Sequence, residues 1–215
     1  MLKSQEYNWT EYGLEQPLNL FGSIEILHIE TNSPIVFLID ETHDNDISTD
    51  YNVKNAVELI TKANVDIIGV ESHRGGRVWD QYYGKYLSTF EIRSVKQYKA
   101  AVNTYPYFAL HIPVNYQDFV FGVECEGMLS KIHCNLAVDD NPYFGKPVVN
   151  HPLNIERSKH FIRTLFEIRE RVNGKGNLIL NCGSNHNTHI KEWVDLGEIE
   201  IITECKASYI RLNTI

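Results

Sequence analysis

Along this chain, short apolar runs alternate with segments whose apolar residues recur at helical spacing. Residues 23–30 (SIEILHIE) alternate apolar and polar positions, the period of a strand with one face buried. Thr31, Asn32, Ser33 and Pro34 then signal a turn. Residues 35–39 (IVFLI) form an unbroken run of β-branched, aromatic and aliphatic side chains. Such a run suits a strand covered on both faces, as in a parallel sheet. With the turn between them, the two strands can pair as an N-terminal hairpin.

Helical periodicity follows. Within residues 50–63, Val53, Ala56, Val57 and Ile60 fall at i, i+3, i+4 and i+7, one face of a helix. Residues 66–70 (DIIGV) read as the next buried strand, so strand, helix and strand make a crossover unit, a connection that is nearly always right-handed. Residues 78–105, rich in Tyr and of mixed charge, read as one or two helices. This helical insertion or cap would lie within residues 78–117. Residues 118–123 (DFVFGV) are a third buried strand, with a helix expected over 126–138. The three prolines and one glycine of residues 139–152 indicate a loop. The clearest helix spans 153–172, where Phe161, Leu165, Ile168 and Val172 share a face with Ile162 and Phe166 beside them. Asn173, Gly174, Lys175 and Gly176 stop it. A fourth buried strand over 177–182 (NLILNC), a helix over 187–194, and late strands over 198–203 (EIEIIT) and 208–212 (SYIRL) complete the pattern.

This alternation predicts an α/β fold: a three-layer sandwich with a mostly parallel central sheet and a helical insertion. One domain over residues 1–215 is expected, because a chain of this length buries one sizeable core whereas two domains would each be small.

Charge and composition narrow the partners. A formal net charge of −8 disfavours nucleic acid, which requires a basic face. No apolar run approaches the length of a membrane span. The first twenty residues are polar and acidic, without the apolar stretch of a signal peptide. Cys125, Cys134, Cys182 and Cys205 are widely spaced with no C-x-x-C pair, the pattern of reduced thiols, so the cytoplasm is the expected compartment. The expected partner is a small-molecule or peptide substrate, with no nucleic acid and no membrane.

In open parallel sheets, ligands bind beyond the carboxyl ends of the strands. The IVFLI strand runs into Asp40, Glu41, Thr42, His43, Asp44 and Asn45. The DIIGV strand runs into Glu71, Ser72, His73 and Arg74, and the DFVFGV strand into Glu124, Cys125 and Glu126. The NLILNC strand runs into Gly183, Ser184, Asn185 and His186. Each end thus delivers a carboxylate or an imidazole to one rim. Converging carboxylates repel one another unless protons or a cation neutralise them. His43, Glu71 and His186 are of the types that ligate a divalent metal such as Mn²⁺ or Zn²⁺, which would acidify a bound water. Without a metal, a His–carboxylate pair can activate water as a general base, with Arg74 stabilising an oxyanion.

Each residue also has a plainer role open to it. His43 can cap a turn, Glu71 can form a surface ion pair with Arg74, and His186 can be an ordinary polar residue at a helix start. Asp40 and Glu41 can serve as turn formers. Glu124 and Glu126 are weaker candidates, and His73, His151 and His189 read as satisfied or solvated. No G-x-S-x-G, G-x-G-x-x-G, Walker A or H-E-x-x-H motif is present, so Ser184 is a poor nucleophile and no nucleotide loop is signalled. Cys182 reads as a buried strand residue. Cys125 sits at the rim without a spacing that supports a Cys–His hydrolase.

The segment FLIDETHDNDIS…NAVELITKANVDIIGVESHR, residues 37–74, resembles the opening of the TraB/Tiki, ChaN and erythromycin-esterase superfamily. Its members begin with a strand ending in G-E-x-H or G-x-x-H, then a helix, then a strand ending in Glu with Arg soon after. Glu41 and His43 match the first motif, Glu71 the glutamate and Arg74 the arginine. Asp40 stands where that motif usually has glycine. LILNCGSNHNTHI resembles the second G-x-x-H motif of the family, with Gly183 and His186, and HPLNIERSKHFIRTL, including Arg157, resembles the helix before it. The resemblance covers the first and last thirds of the chain. The superfamily holds metal-dependent peptidases, macrolide esterases, haem-binding proteins and pheromone-shutdown proteins, so it implies a site and not one reaction.

The implied site is that of a hydrolase of peptide or ester bonds. His43, Glu71 and His186 would hold a metal or activate water, with Glu41 or Glu71 as general base. Arg74 or Arg157 would hold an anionic substrate group or the developing oxyanion. The alternative is a non-catalytic haem- or small-ligand-binding protein on the same scaffold, with a Tyr or His of the insertion as axial ligand. A third is a degenerate homologue acting in a complex. The Tyr-rich residues 82–107 are a candidate lid over the site, or else a helical layer whose tyrosines pack with their hydroxyls at the surface.

Overall fold

A computed structural model describes residues 2–41, 46–74, 76–78, 108–125, 127–128 and 151–214. An antiparallel ribbon of β1 (Ser4–Tyr7) and β2 (Leu18–Phe21) opens the chain. β3 (Ser23–His28), β4 (Ile35–Glu41), α1 (Asp46–Lys62), β5 (Val65–Arg74) and the short β6 (Gly76–Arg77) follow. α2 (Phe108–His111) and a 3₁₀ segment (Val114–Phe119) lead into β7 (Val120–Glu124). Next come α3 (Pro152–Arg171), β8 (Asn177–Gly183), α4 (Ser184–Asp195), α5 (Ile199–Thr203) and β9 (Ser208–Asn213). The expected insertion over 78–105 and the helix and loop over 126–150 fall almost wholly outside the described residues.

Seven described strands form one sheet in the order β3-β9-β4-β8-β5-β7-β6. The inner pairs β9·β4, β4·β8, β8·β5 and β5·β7 are parallel, and only the edge pairs β3·β9 and β6·β7 are antiparallel. Every residue of β4 is buried. Its alternation explains why: Ile35, Phe37 and Ile39 enter one apolar cluster with Ala56 and Leu59 of α1. Val36 and Leu38 enter a second cluster with Phe161 and Leu165 of α3 and Ile190 of α4. Helices therefore cover both faces, giving the three-layer α/β sandwich that the apolar runs predict.

Among the described residues this topology marks the place where a ligand crevice is expected. From β4 the chain crosses by α1 on one face to β5, whereas from β8 it leaves by α4 on the other face and returns as β9. Adjacent strands whose connections depart to opposite faces open a cleft between their carboxyl ends. By that rule the cleft is expected at Glu41 and Gly183, which are partners in the β4·β8 register.

Three local expectations are corrected. β3 and β4 are not a hairpin: β9 lies between them, pairing antiparallel with β3 and parallel with β4. β4 is apolar on both faces and takes an interior place, while the more exposed β3 takes the edge. The turn between them passes over the start of β9, whose Ser208 hydroxyl bonds Glu30 and whose Ser208 N–H donates to the Pro34 carbonyl. Residues 198–203 are not a strand but contain α5, packed on α3 with Arg163 Nε donating to the Ile202 carbonyl. Ile199, Ile202 and Thr203 lie at i, i+3 and i+4, one face of a helix, while Ile199 and Ile201 also alternate as a strand would. The edge beyond β9 is already taken by β3, leaving no partner for a further strand there. Val172, expected on the inner stripe of α3, is its C-cap and is 43% exposed.

The turn from α3 into β8 is pinned against the turn from α1 into β5. Asp66 accepts from the backbone N–H groups of Lys175 and Gly176, and Asn177 N–H donates to the Asn64 carbonyl. A Cβ on Gly176 would lie 2.2 Å from that carbonyl oxygen, which is backbone and cannot swing aside. Gly176→Ala is expected to lower the unfolding free energy by about 2 kcal/mol or more, read by urea denaturation. An unchanged midpoint would show that the two turns can separate at little cost.

Candidate functional site

The polar centre of the protein forms where α3 and α4 cross the carboxyl ends of β5, β8 and β7. The inner stripe of α3 changes character along its length. Asn154, Arg157 and Ser158 occupy its first turns, and Phe161, Ile162, Leu165 and Phe166 continue the same buried face. The apolar part packs on the sheet, which sets the polar part against the strand ends. On α4, His186, Asn187, His189, Ile190 and Trp193 form the buried face, so His186 turns inward one residue pair beyond the end of β8.

Arg157 is the hub. Its Nε and Nη2 donate to the two oxygens of Glu124 at 3.1 and 2.6 Å, a bidentate pair. Nη2 also donates to Glu71 Oε1 at 3.0 Å, and Nη1 to Asn154 Oδ1 at 3.0 Å. The remaining contact of Nη1 is His186 Nε2 at 3.4 Å. His186 Nε2 lies 3.4 Å from Glu71 Oε1 as well. The other Glu71 oxygen accepts from the backbone N–H of Gly183 at 2.8 Å. The Glu71, Glu124, Arg157 and His186 side chains are each no more than 7% exposed.

Burial alone would push the Glu71 carboxyl up. When His186 is protonated, its hydrogen bond and charge, with the Gly183 N–H and the Arg157 charge, outweigh it and hold the group at about 2. Glu71 is therefore a fixed carboxylate near neutral pH and a poor proton acceptor. Two carboxylates and one guanidinium leave one negative charge, and a proton on His186 would bring the four groups to neutrality.

Sequence reasoning and structure meet unevenly here. Glu71 and His186, chosen as strand-end residues, do come together. Glu71 is buried against Arg157; the side chain of Arg74 lies outside the described residues, as does His43. Glu41 follows Phe37 and Ile39 by the alternation of β4 to the α1 face, opposite Glu71. Arg157 lies in the site, but its N–H groups are directed at protein acceptors, so it bridges carboxylates rather than reaching into solvent. Glu124, ranked low from sequence, is its strongest partner. Asn154 and Ser158 went unnamed. The signal for both was present: polar residues at i, i+3 and i+4 in phase with Phe161 and Leu165.

The neighbouring residues are structural. Asp40 takes Arg211 on both oxygens, at 2.8–3.1 Å, and Asn187 Nδ2 at 2.8 Å. Arg211 Nη2 also donates to the Ser184 carbonyl, so this strut fixes the first turn of α4 and with it His186. Cys182 is fully buried beneath the site and donates to Asn187 Oδ1. Burial, then the nearby carboxylates, push its thiol well up, so it is no nucleophile. His151 caps α3, its Nδ1 accepting from Leu153 N–H. Cys125, Cys182 and Cys205 are unpaired; Cys134 lies outside the described residues.

Among the described residues Glu71 and His186 leave a divalent ion no open place, and His43, the third expected ligand, lies outside them. The point between Glu71 and His186 where it would sit is occupied by the Arg157 guanidinium, which already supplies the neutralising charge. Among the described residues no cluster of three His, Cys, Asp or Glu side chains is arranged to hold a metal. The haem alternative rests on Tyr or His residues of the insertion, outside the described residues. No helix among the described residues is long and apolar enough to cross a membrane.

Compared with protein-family models, curated proteins and solved structures, the chain matches none.

Proposed function

We propose that this chain is a hydrolase of ester or peptide bonds, with His186 as general base in the crevice beyond β4, β8 and β5. The observation that carries the reading is the position of His186 Nε2, at 3.4 Å from both Glu71 Oε1 and Arg157 Nη1. Neutral His186 accepts from Arg157. When it takes a proton from the attacking water, Nε2–H turns to the ionised Glu71, which stabilises the imidazolium. Arg157 Nη1–H then faces a donor instead of an acceptor and is released toward the oxyanion forming on the carbonyl. The imidazolium next returns its proton to the leaving alkoxide or amine, and the acid product departs. The resemblance of the strand-end motifs to a superfamily with esterases and peptidases supports the same chemistry.

The test is hydrolysis of a panel of chromogenic esters and short peptides by the purified protein. His186→Ala is expected to lower kcat/KM at least about a hundredfold while the melting temperature stays within a few degrees. No turnover of any ester or peptide by the unsubstituted protein, or turnover that survives His186→Ala, would remove the proposal.

A further inference from the structure

Behind His186 lies a second layer of polar groups that the reaction as described does not use. Ser158 Oγ is 2.7 Å from His186 Nδ1, 2.7 Å from His189 Nδ1 and 3.0 Å from the Asn154 carbonyl oxygen. All of these side chains are buried: Ser158 is 0%, His189 3% and His186 4% exposed.

Counting protons settles the directions. A hydroxyl has one hydrogen to donate and two lone pairs to accept with. A backbone carbonyl only accepts, so the Ser158 hydrogen goes to Asn154. Both imidazole contacts must then be donated by the rings, which puts a hydrogen on Nδ1 of His186 and on Nδ1 of His189. On the other side of His186, Nε2 lies 3.4 Å from Arg157 Nη1, which can only donate, and 3.4 Å from Glu71 Oε1; in the neutral ring with its hydrogen on Nδ1, Nε2 is bare and takes the Arg157 contact.

From this inventory we infer that Ser158 is a positioning residue: it holds His186 as the Nδ1–H tautomer, with the Nε2 lone pair kept in the crevice as the base. His189 completes the lock. By donating into the second lone pair of Ser158, it keeps the hydroxyl hydrogen on Asn154. Without it the hydroxyl could rotate and donate to His186 Nδ1, moving the ring proton to Nε2 and removing the base. Phe161, with its ring centroid 4.8 Å from that of His186, holds the imidazole plane while this occurs. The inference rests on the proposed function for its catalytic meaning but not for its chemistry.

¹⁵N NMR of histidine-labelled protein, near neutral pH, tests it. The wild-type His186 is expected to show a bare-nitrogen resonance at Nε2 and a protonated one at Nδ1. The opposite tautomer, or an even mixture, would overturn the inference whether or not any variant folds. Ser158→Ala is expected to move the proton to Nε2, and Ser158→Thr, which keeps the hydroxyl, to leave it on Nδ1. A folded Ser158→Ala protein with an unchanged tautomer would also overturn it. With an ester substrate, Ser158→Ala should lower kcat about tenfold with little change in KM, and Ser158→Thr should restore it. Loss of ground-state binding alone, seen as a rise in KM with kcat unchanged, would count against the positioning role. If the tautomer is as expected but the wild type hydrolyses nothing, the functional reading fails and the lock stands.

Discussion

Arg157→Met is expected to lower the unfolding free energy by about 3–5 kcal/mol at pH 7, the largest effect of any single substitution in the site. The guanidinium is the shared counter-charge of Glu71 and Glu124, and both carboxylates are almost wholly buried. Methionine fills much of the same volume but leaves two negative charges facing one another out of reach of water. The pH dependence identifies this cause. Glu71 is held at about 2 in the folded protein against an ordinary value of 4.5. A depressed carboxyl contributes stability that is full above its unfolded pKa and is lost as pH falls through its folded one. In the wild type this loss therefore runs from about pH 4.5 down to about pH 2. In Arg157→Met, Glu71 loses part of what holds it down, takes up a proton at higher pH, and the repulsion between the two groups falls. The gap between the two proteins should thus be widest at pH 7 and shrink by pH 4. Urea denaturation at both pH values measures it. An equal gap would mean that lost packing, not lost charge, is responsible.

Asp40→Ala is expected to cost about 3 kcal/mol, although Asp40 lies outside the proposed chemistry. Asp40 is fully buried and is the acceptor for three Arg211 contacts and for Asn187. Burial pushes its carboxyl up by more than Arg211 and Asn187 pull it down, so the pair is expensive to maintain. Removing one partner is worse than removing both, because it strands the half-buried Arg211 charge. The double variant Asp40→Ala/Arg211→Met is therefore expected to be more stable than the Asp40→Ala protein. A double-mutant cycle read by urea unfolding checks this, and strictly additive costs would show that the two residues are not coupled. Because Arg211 also holds the Ser184 carbonyl, loosening of the first turn of α4 should follow as faster amide exchange at residues 184–188.

Much of the fold was legible before any coordinates. The runs at residues 35–39, 66–70, 118–123 and 177–182 announce strands covered on both faces, and all four are interior or near-interior strands of the sheet. Their carboxyl ends named Glu71 and His186, which do meet. The site was less legible because its centre is not at a strand end. Arg157 entered only through a family resemblance, and Ser158 not at all, since a lone serine on a helix carries no chemistry until a neighbour is known. His189, read as a satisfied histidine, turns out to satisfy itself on the hydroxyl that also holds the candidate base.

By itself the sequence determined the kind and order of most of the described elements and which residues stand at the strand ends, because strand and helix periods are local properties of a few neighbouring side chains. Only the tertiary structure decided that β9 separates β3 from β4, that residues 199–203 wind as a helix, and that the Arg157 guanidinium bridges Glu71 and Glu124. Those outcomes depend on which distant segment occupies an edge or crosses a strand end. Separations of 86 residues between Glu71 and Arg157 and 28 between Ser158 and His186 leave no trace in a local pattern.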